Sequence, residues 1–301
     1  MLTQAELDSF HQNGYLIMRG LFQNPELEML QKAVDVVQAQ GVAREGAEHR
    51  YIRNHAGEEV YWRSEKMWQR ADIFQIVTVH PTLLENIGQC IGRPFFPIND
   101  SLVVKLTDNG APVTWHQDPP YMNENRDWTF PIPNFTTDIY LDHSGPDNGC
   151  VYAIPGHHLI GSVDLTGKGE EELFEKFGAI PIEMEAGDVM FHCLSTPHGS
   201  RANTSSRQRR IFYIHYMSHE VYTDAYSGWG RWDEGIYSRA RQMIDKRVAM
   251  GYETPDDRSM IQLDQTGFQF SGTPCTPEGH WGNLQKTIDP TDALAMKKLE
   301  L

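Results

Sequence analysis

The spacing of apolar residues divides the chain into stretches of different texture. Thr3 and Glu6 have the spacing of a capping box, ahead of a helical stretch that ends near Asn13-Gly14, where glycine can take the left-handed conformation that stops a helix. Tyr15 to Met18 reads as a short strand. A second helix begins after Asn24, with Pro25 in its first turn and Leu27, Leu30 and Val34 along one face. From Arg44 to Trp68 the sequence is polar with scattered aromatics (Tyr51, Tyr61, Trp62, Trp68), a texture that predicts a long loop or lid.

From about Phe95 the rhythm changes to short β-rich runs: Leu102 to Leu106, Val113 to His116, Thr137 to Leu141, Val151 to Ile154, Ile180 to Met184, Asp188 to Phe191 and Ile211 to Tyr216. Turn signals such as Asp108-Asn109-Gly110, Asp147-Asn148-Gly149 and Ala186-Gly187-Asp188 separate them. Short strands punctuated this way predict an antiparallel sandwich or jelly roll, and no parallel βαβ rhythm appears. After Met217 come a Trp, Tyr and Gly-rich segment (Tyr222 to Tyr237), a helix around Ser238 to Met250, and a polar tail. The expected organisation is a single domain over 1–301, mainly β with flanking helices. Its parts are a helical N-terminal region to about 94, a jelly-roll core over about 95–217, and an extension over 218–301 packing on that core.

With 40% hydrophobic and 22% charged residues, the composition is that of a packed protein, not a disordered chain. The net charge of −15 argues against nucleic acid or an anionic membrane surface as main partner, since both reward a clustered basic face. The N-terminus shows no basic region followed by an apolar run, and no stretch approaches the roughly 18–20 apolar residues needed to span a bilayer. Cys90, Cys150, Cys193 and Cys275 lie far apart and read as reduced thiols of a cytoplasmic protein. The expected partner is a small-molecule substrate; a homodimer is compatible with the sequence.

The candidate chemistry starts at His116-Gln117-Asp118, at the end of a predicted strand, where residues two apart share a face and can reach a common ion. Chance alone supplies about one His-x-Asp in a chain of this composition, so spacing by itself decides nothing. A second element adds to it: Gly187-Asp188 and the strand after it lead to Thr196-Pro197-His198-Gly199-Ser200, then Asn203, Ser205 and the basic group Arg207, Arg209, Arg210. Two histidines and a carboxylate on one face of an iron leave three positions for a bidentate cosubstrate and dioxygen. A nearby arginine can then clamp a distal carboxylate.

These residues carry a resemblance. His116-Gln117-Asp118, Asn148-Gly149-Cys150 with Ile154-Pro155-Gly156-His157, Gly187-Asp188, and His198-Gly199-Ser200 with Asn203, Ser205 and Arg209 together resemble the phytanoyl-CoA dioxygenase family over roughly residues 2 to 217. The resemblance implies a double-stranded β-helix (jelly roll, cupin-like) enzyme that uses iron(II), 2-oxoglutarate and dioxygen, usually to hydroxylate an unactivated C–H bond with formation of succinate and CO2. It makes His116, Asp118 and His198 the iron ligands, gives Arg209 the 2-oxoglutarate anchor, and makes Ser200 a secondary cosubstrate contact.

Other readings stand beside these. Lys105, interrupting an apolar strand, is either an inward cosubstrate or substrate contact or an edge lysine that discourages aggregation. Alternation puts Arg209 with Ile211 and Tyr213, and Arg210 with Phe212, without saying which set faces inward. Pro119 to Phe135 either walls the substrate site, with Tyr121 and Trp128 as substrate contacts, or is a rigid surface loop. His157, His158, His192 and His215 read as structural residues or as supports behind the ligands. Competing functions are a non-catalytic jelly-roll binding protein and a cupin-like metalloenzyme independent of 2-oxoglutarate. Desaturation, cyclisation and epoxidation remain open outcomes, whereas halogenation requires the carboxylate ligand to be absent. A coenzyme A ester is less attractive than a smaller acid or amine for so acidic a chain.

Overall fold

The computed structural model describes residues 1–118, 135–159, 165, 167–170, 172–219 and 235–272. Helix α1 (Gln4–Asn13) carries the full Thr3/Glu6 capping box and stops at Gly14, whose φ is 79° and whose N–H donates to Phe10 O at 2.8 Å. Strand β1 (Tyr15–Met18) and helix α2 (Glu26–Ala43) follow as the pattern predicted.

The segment read as a loop or lid is instead a hairpin, β2 (His49–Arg53) and β3 (Glu59–Glu65), and β3 pairs with β4 (Phe95–Lys105). Arg50 stands opposite Arg63 and Tyr51 opposite Tyr61, so Trp62 is an extra residue on β3. That bulge breaks the two-residue alternation and hides the strand from a periodicity argument. Helices α3 (Asp72–Thr78) and α4 (Pro81–Ile91) then lead into β4, which starts well before Leu102.

Among the described residues all strand pairs are antiparallel. The larger sheet has the order β1 (Tyr15–Met18), β9 (Val189–Cys193), β6 (Phe135–Tyr140), β11 (Arg209–Ser218), β4, β13 (Gly267–Phe270), β12 (Ile261–Asp264), with the β2–β3 hairpin joined through β3. The smaller one runs β5 (Val113–His116), β10 (His198–Ser200), β7 (Val151–Ala153), β8 (Ile180–Ile182). Strands β12 and β13 correct the expectation of a polar tail after helix α5 (Gly235–Ala249); each is four residues long, too short for its alternation to stand out.

Alternation along β11 shows how the molecule is layered. Phe212, Ile214 and Tyr216 join Phe10, Leu30, Phe74, Leu84 and Ile244 in the core under the helices. Ile211 and Tyr140 meet Val151, Ala153, Ile182 and Met190 between the two sheets. Arg209, Tyr213 and His215, two and four residues from Ile211, therefore belong to the inter-sheet face. The helices cover one face of a jelly roll, and the space between its sheets is left for chemistry.

The C-terminal elements are fastened from two directions. Phe268 of β13 stands opposite Phe95 of β4. Buried Arg247 of α5 pairs with Glu26 of α2 and, at 3.2 Å, with Glu253, which also binds Arg258.

Candidate metal centre and cosubstrate pocket

Strands β5 and β10 lie side by side, and their register sets His116 opposite His198. Asp118 follows just past the end of β5, its N–H donating to Leu194 O at 2.9 Å, while Gln117 Nε2 donates to Ser195 O at 2.7 Å. Those two bonds tie the His-x-Asp turn to the segment that delivers His198. As a result, one donor atom from each of His116, Asp118 and His198 lies within 4.8 Å of the other two.

The imidazoles are oriented by their backbones. His116 Nδ1 is 2.8 Å from Thr114 O, and His198 Nδ1 is 2.9 Å from Thr196 O. A carbonyl oxygen only accepts, so each Nδ1 carries the proton and each Nε2 keeps a lone pair for a metal. His116 Nε2 is 3.7 Å from Asp118 Oδ1, and the two rings are 4.3 Å apart. Burial, followed by neighbouring His116 and His192, pulls the His198 pKa down to about 3. Burial acts to raise the Asp118 pKa, but His198, His215, His116 and His192 outweigh it, and the carboxyl lies below its usual range. Imidazole nitrogens plus one carboxylate suit a divalent iron with positions left open.

A second ring stands behind His198. His192 of β9 has its centroid 4.9 Å from that of His198, and its Nδ1 is 3.1 Å from Asp138 Oδ2 on β6. Burial lowers the His192 pKa, and Asp138 more than reverses it. His192 was expected to be structural or supporting; Asp138 was not singled out. Its signal was a carboxylate on the inward side of β6, between Thr136 and Tyr140.

Farther along the same face, Arg209 is 1% exposed. Its guanidinium bonds the Tyr213 side chain, but Nε and Nη1 have no hydrogen-bond partner among the described residues. Lys105 stands directly opposite it on β4, 0% exposed, which rules out the edge-lysine reading. Ser200 is buried two residues beyond His198 on β10, both residues opposite β7 positions that face the inter-sheet space. Arg210 points to the helix side, where it makes two bonds to Asp142, at 2.8 and 2.9 Å, and one to Asp35. Arg207 is exposed and pairs with Asp147. Tyr121 and Trp128 lie outside the described residues, as does most of the Tyr222 to Tyr237 segment.

A helix-backed jelly roll with a His-x-Asp and distal His cluster at one end of its inter-sheet space, and a buried arginine deeper in, defines the class of mononuclear non-haem iron oxygenases. Comparison with known proteins identifies the family. A profile described as Phytanoyl-CoA dioxygenase (PhyH) matches residues 10–211, and the chain belongs to that family. It is 25% identical over 217 residues to a methylphosphonate hydroxylase of Gimesia maris, covering 71% of this chain and 80% of that one. It is 25% identical over 169 residues to a probable alpha-ketoglutarate-dependent hypophosphite dioxygenase of Stutzerimonas stutzeri, covering 50% and 56%. Among solved structures, iron-bound EctD from S. alaskensis superposes with a TM-score of 0.61 at 18% identity, covering 73% of this chain and 78% of that one. The chain is thus an iron(II)- and 2-oxoglutarate-dependent dioxygenase. Among the described residues no helix is long and apolar enough to cross a membrane.

Proposed function

We propose that His116, Asp118 and His198 hold the iron, that Arg209 receives the 5-carboxylate of 2-oxoglutarate with Ser200 and Lys105 nearby, and that the substrate is a small polar molecule. The convergence of three donor atoms within 4.8 Å, with both histidines presenting Nε2, carries the metal assignment. When bound, iron and 2-oxoglutarate supply an oxidant able to break a C–H bond, with succinate and CO2 as coproducts. The protein's part is to fix the ligand geometry, anchor the cosubstrate and keep the substrate aimed.

The register supports the substrate class. Paired residues share a face, so Ser101, Tyr213 and Asp138 form one row across β4, β11 and β6, and Asn99, His215, Thr136 and His192 form the next. These two rows of the floor are built largely of hydrogen-bonding groups, which suit a small acid or hydroxylated compound. The relatives named for methylphosphonate and hypophosphite favour a small oxyanion.

The test has two arms. Anaerobic iron(II) and 2-oxoglutarate should give the visible charge-transfer band of a chelated 2-oxoacid, and His198→Ala should abolish it. A panel of small phosphonates, hydroxy acids and amino acids, run beside acyl-CoA esters, should give succinate above background only with the small polar compounds. An acyl-CoA ester as the best substrate would refute the class proposed.

A further inference from the structure

Lys105 and Arg209 are directly opposed residues on adjacent central strands, both sealed from solvent. Neither has an ion-pair partner among the described residues. Lys105 Nζ donates to the carbonyl of Ala111, a neutral acceptor. Arg209 bonds Tyr213, which brings no charge, and keeps Nε and Nη1 unpaired. A third orphan belongs to the same pocket: Tyr140 is 0% exposed, and its hydroxyl has no partner. Tyr140 lies opposite Ile211, two residues from Arg209 on the same face, and Arg209 and Cys150 are among the groups whose charge it feels. Two cationic side chains and a hydroxyl donor are thus buried together with no anion hydrogen-bonded to them among the described residues, an imbalance that a ligand or a change of protonation would relieve.

We propose that Arg209, Tyr140 and Lys105 act as one carboxylate receptor, in which Lys105 is neutral while the pocket is empty and takes a proton from solvent as the 5-carboxylate of 2-oxoglutarate enters. The proposal rests on Arg209 as cosubstrate anchor and adds a second donor, Tyr140, and a linked proton. Arginine stays protonated under all ordinary conditions, so relief of the like-charge contact falls to the lysine. Burial first, and then Arg209, hold the Lys105 pKa well below its ordinary value. Among the other titratable groups facing the pair, Asp138 is the carboxylate whose charge Arg209 reaches; burial raises its pKa, so it offsets the pair only in part. The Cys150 thiol is pushed up to about 11 by burial, and burial likewise raises the phenols of Tyr140 and Tyr213. Asp138, on the same face, is engaged by His192. An arriving carboxylate brings the missing negative charge and favours the ammonium form.

The sign follows from linkage. If binding takes up a proton, 2-oxoglutarate affinity falls as pH rises, by up to about tenfold per pH unit between the Lys105 pKa of the empty and filled pockets. The experiment is calorimetric titration of 2-oxoglutarate into the anaerobic manganese(II) protein, in buffers of different ionisation enthalpy, for wild type, Lys105→Met, Tyr140→Phe and Arg209→Met. Thermal melts of each variant confirm folding. Wild type should take up about 0.5–1 proton more per cosubstrate than Lys105→Met does. Tyr140→Phe should bind roughly 5–10-fold more weakly with its proton uptake intact, consistent with loss of one hydrogen bond. Equal proton counts in wild type and Lys105→Met, or unchanged affinity in Tyr140→Phe, would overturn the receptor. Unchanged affinity in Arg209→Met would instead show that the anchor itself is misassigned. Should Lys105→Met fail to fold, an absence of proton uptake in wild type still decides against the proposal.

Discussion

Replacing Arg209 and Arg210 separately by methionine should separate cosubstrate binding from stability, although the two residues are neighbours on one strand. Arg210 makes a two-point contact with Asp142 on the helix side and is nearly buried, so its loss strands a carboxylate. Breaking a buried pair from one side costs about 3–5 kcal/mol, or roughly 6–15 °C in Tm for a protein of this size. Arg209 has no carboxylate partner among the described residues and leaves two nitrogens unpaired, so Arg209→Met should leave the cosubstrate-free protein as stable as wild type or more so. Its cost should appear on binding, where a charge-assisted contact contributes about 2–5 kcal/mol, weakening 2-oxoglutarate by roughly 30- to 5000-fold. Arg207→Ala, at an exposed pair with Asp147, should change neither quantity appreciably. Thermal melts of the metal-free protein and anaerobic fluorescence titrations with 2-oxoglutarate measure both. If Arg209→Met melted as early as Arg210→Met while cosubstrate affinity held, Arg209 would be a structural arginine.

Three further outcomes are expected. His116→Ala and His198→Ala should lose iron binding and turnover with the circular dichroism spectrum unchanged, and Asp118→Gly, assayed with chloride present, tests whether an open position admits halide; iron retained at wild-type affinity in His116→Ala would count against the ligand set. Gly14→Ala should destabilise by more than 2 kcal/mol, because a Cβ there would sit 2.4 Å from His158 Nδ1 on a backbone with φ of 79°, and a urea midpoint within error of wild type would refute this. Burial pulls the His158 pKa to about 3, so the unfolded chain binds a proton that the folded one refuses. Stability should therefore fall by about 1.4 kcal/mol per unit as pH drops from about 6 to 5, and His158→Gln should lose that share of the slope in urea titrations.

Much of the fold could be read from residues whose local chemistry and tertiary role agree. Thr3, Glu6 and Gly14 bound α1 by backbone hydrogen bonds that depend on nothing distant. The segments missed are those where local pattern and final packing part company. The extra Trp62 puts Tyr61 and Ser64 both on the buried side, an interval that no strand period contains. Strand β4 was read only from Leu102 because Pro97, Asn99 and Asp100 interrupt its apolar run, although the strand passes through all three. Pro97 is tolerated opposite Tyr216, beside a bulge in which Ile98 of β4 is the extra residue. The β12–β13 hairpin owes its place to Phe268 meeting Phe95, a contact between residues far apart in the chain.

The site divides along the same line. His116 and Asp118 are two residues apart on one strand end, and His198 and Arg209 are bound into another local run, so their types and spacing remain visible in one dimension. The groups that surround them come one or two at a time from β4, β6, β9 and β11, and each looks like an ordinary polar interruption in its own strand. Thr136, Asp138 and Tyr140 alternate with buried Thr137 and Ile139, a pattern that fits either a solvent-washed face or a chemical one. Only the register, with Asp138 between Tyr213 and Met190 and Thr136 beside His192, shows that the polar side is enclosed. Buried atoms without a partner among the described residues bear on the same point, because Thr136 Oγ1, Asp138 Oδ1, His192 Nε2, Tyr140 Oη and two nitrogens of Arg209 fall on this face. Native interiors rarely leave polar groups unpaired, so a run of them along the face that carries His192 and Arg209 points to partners from beyond the described residues.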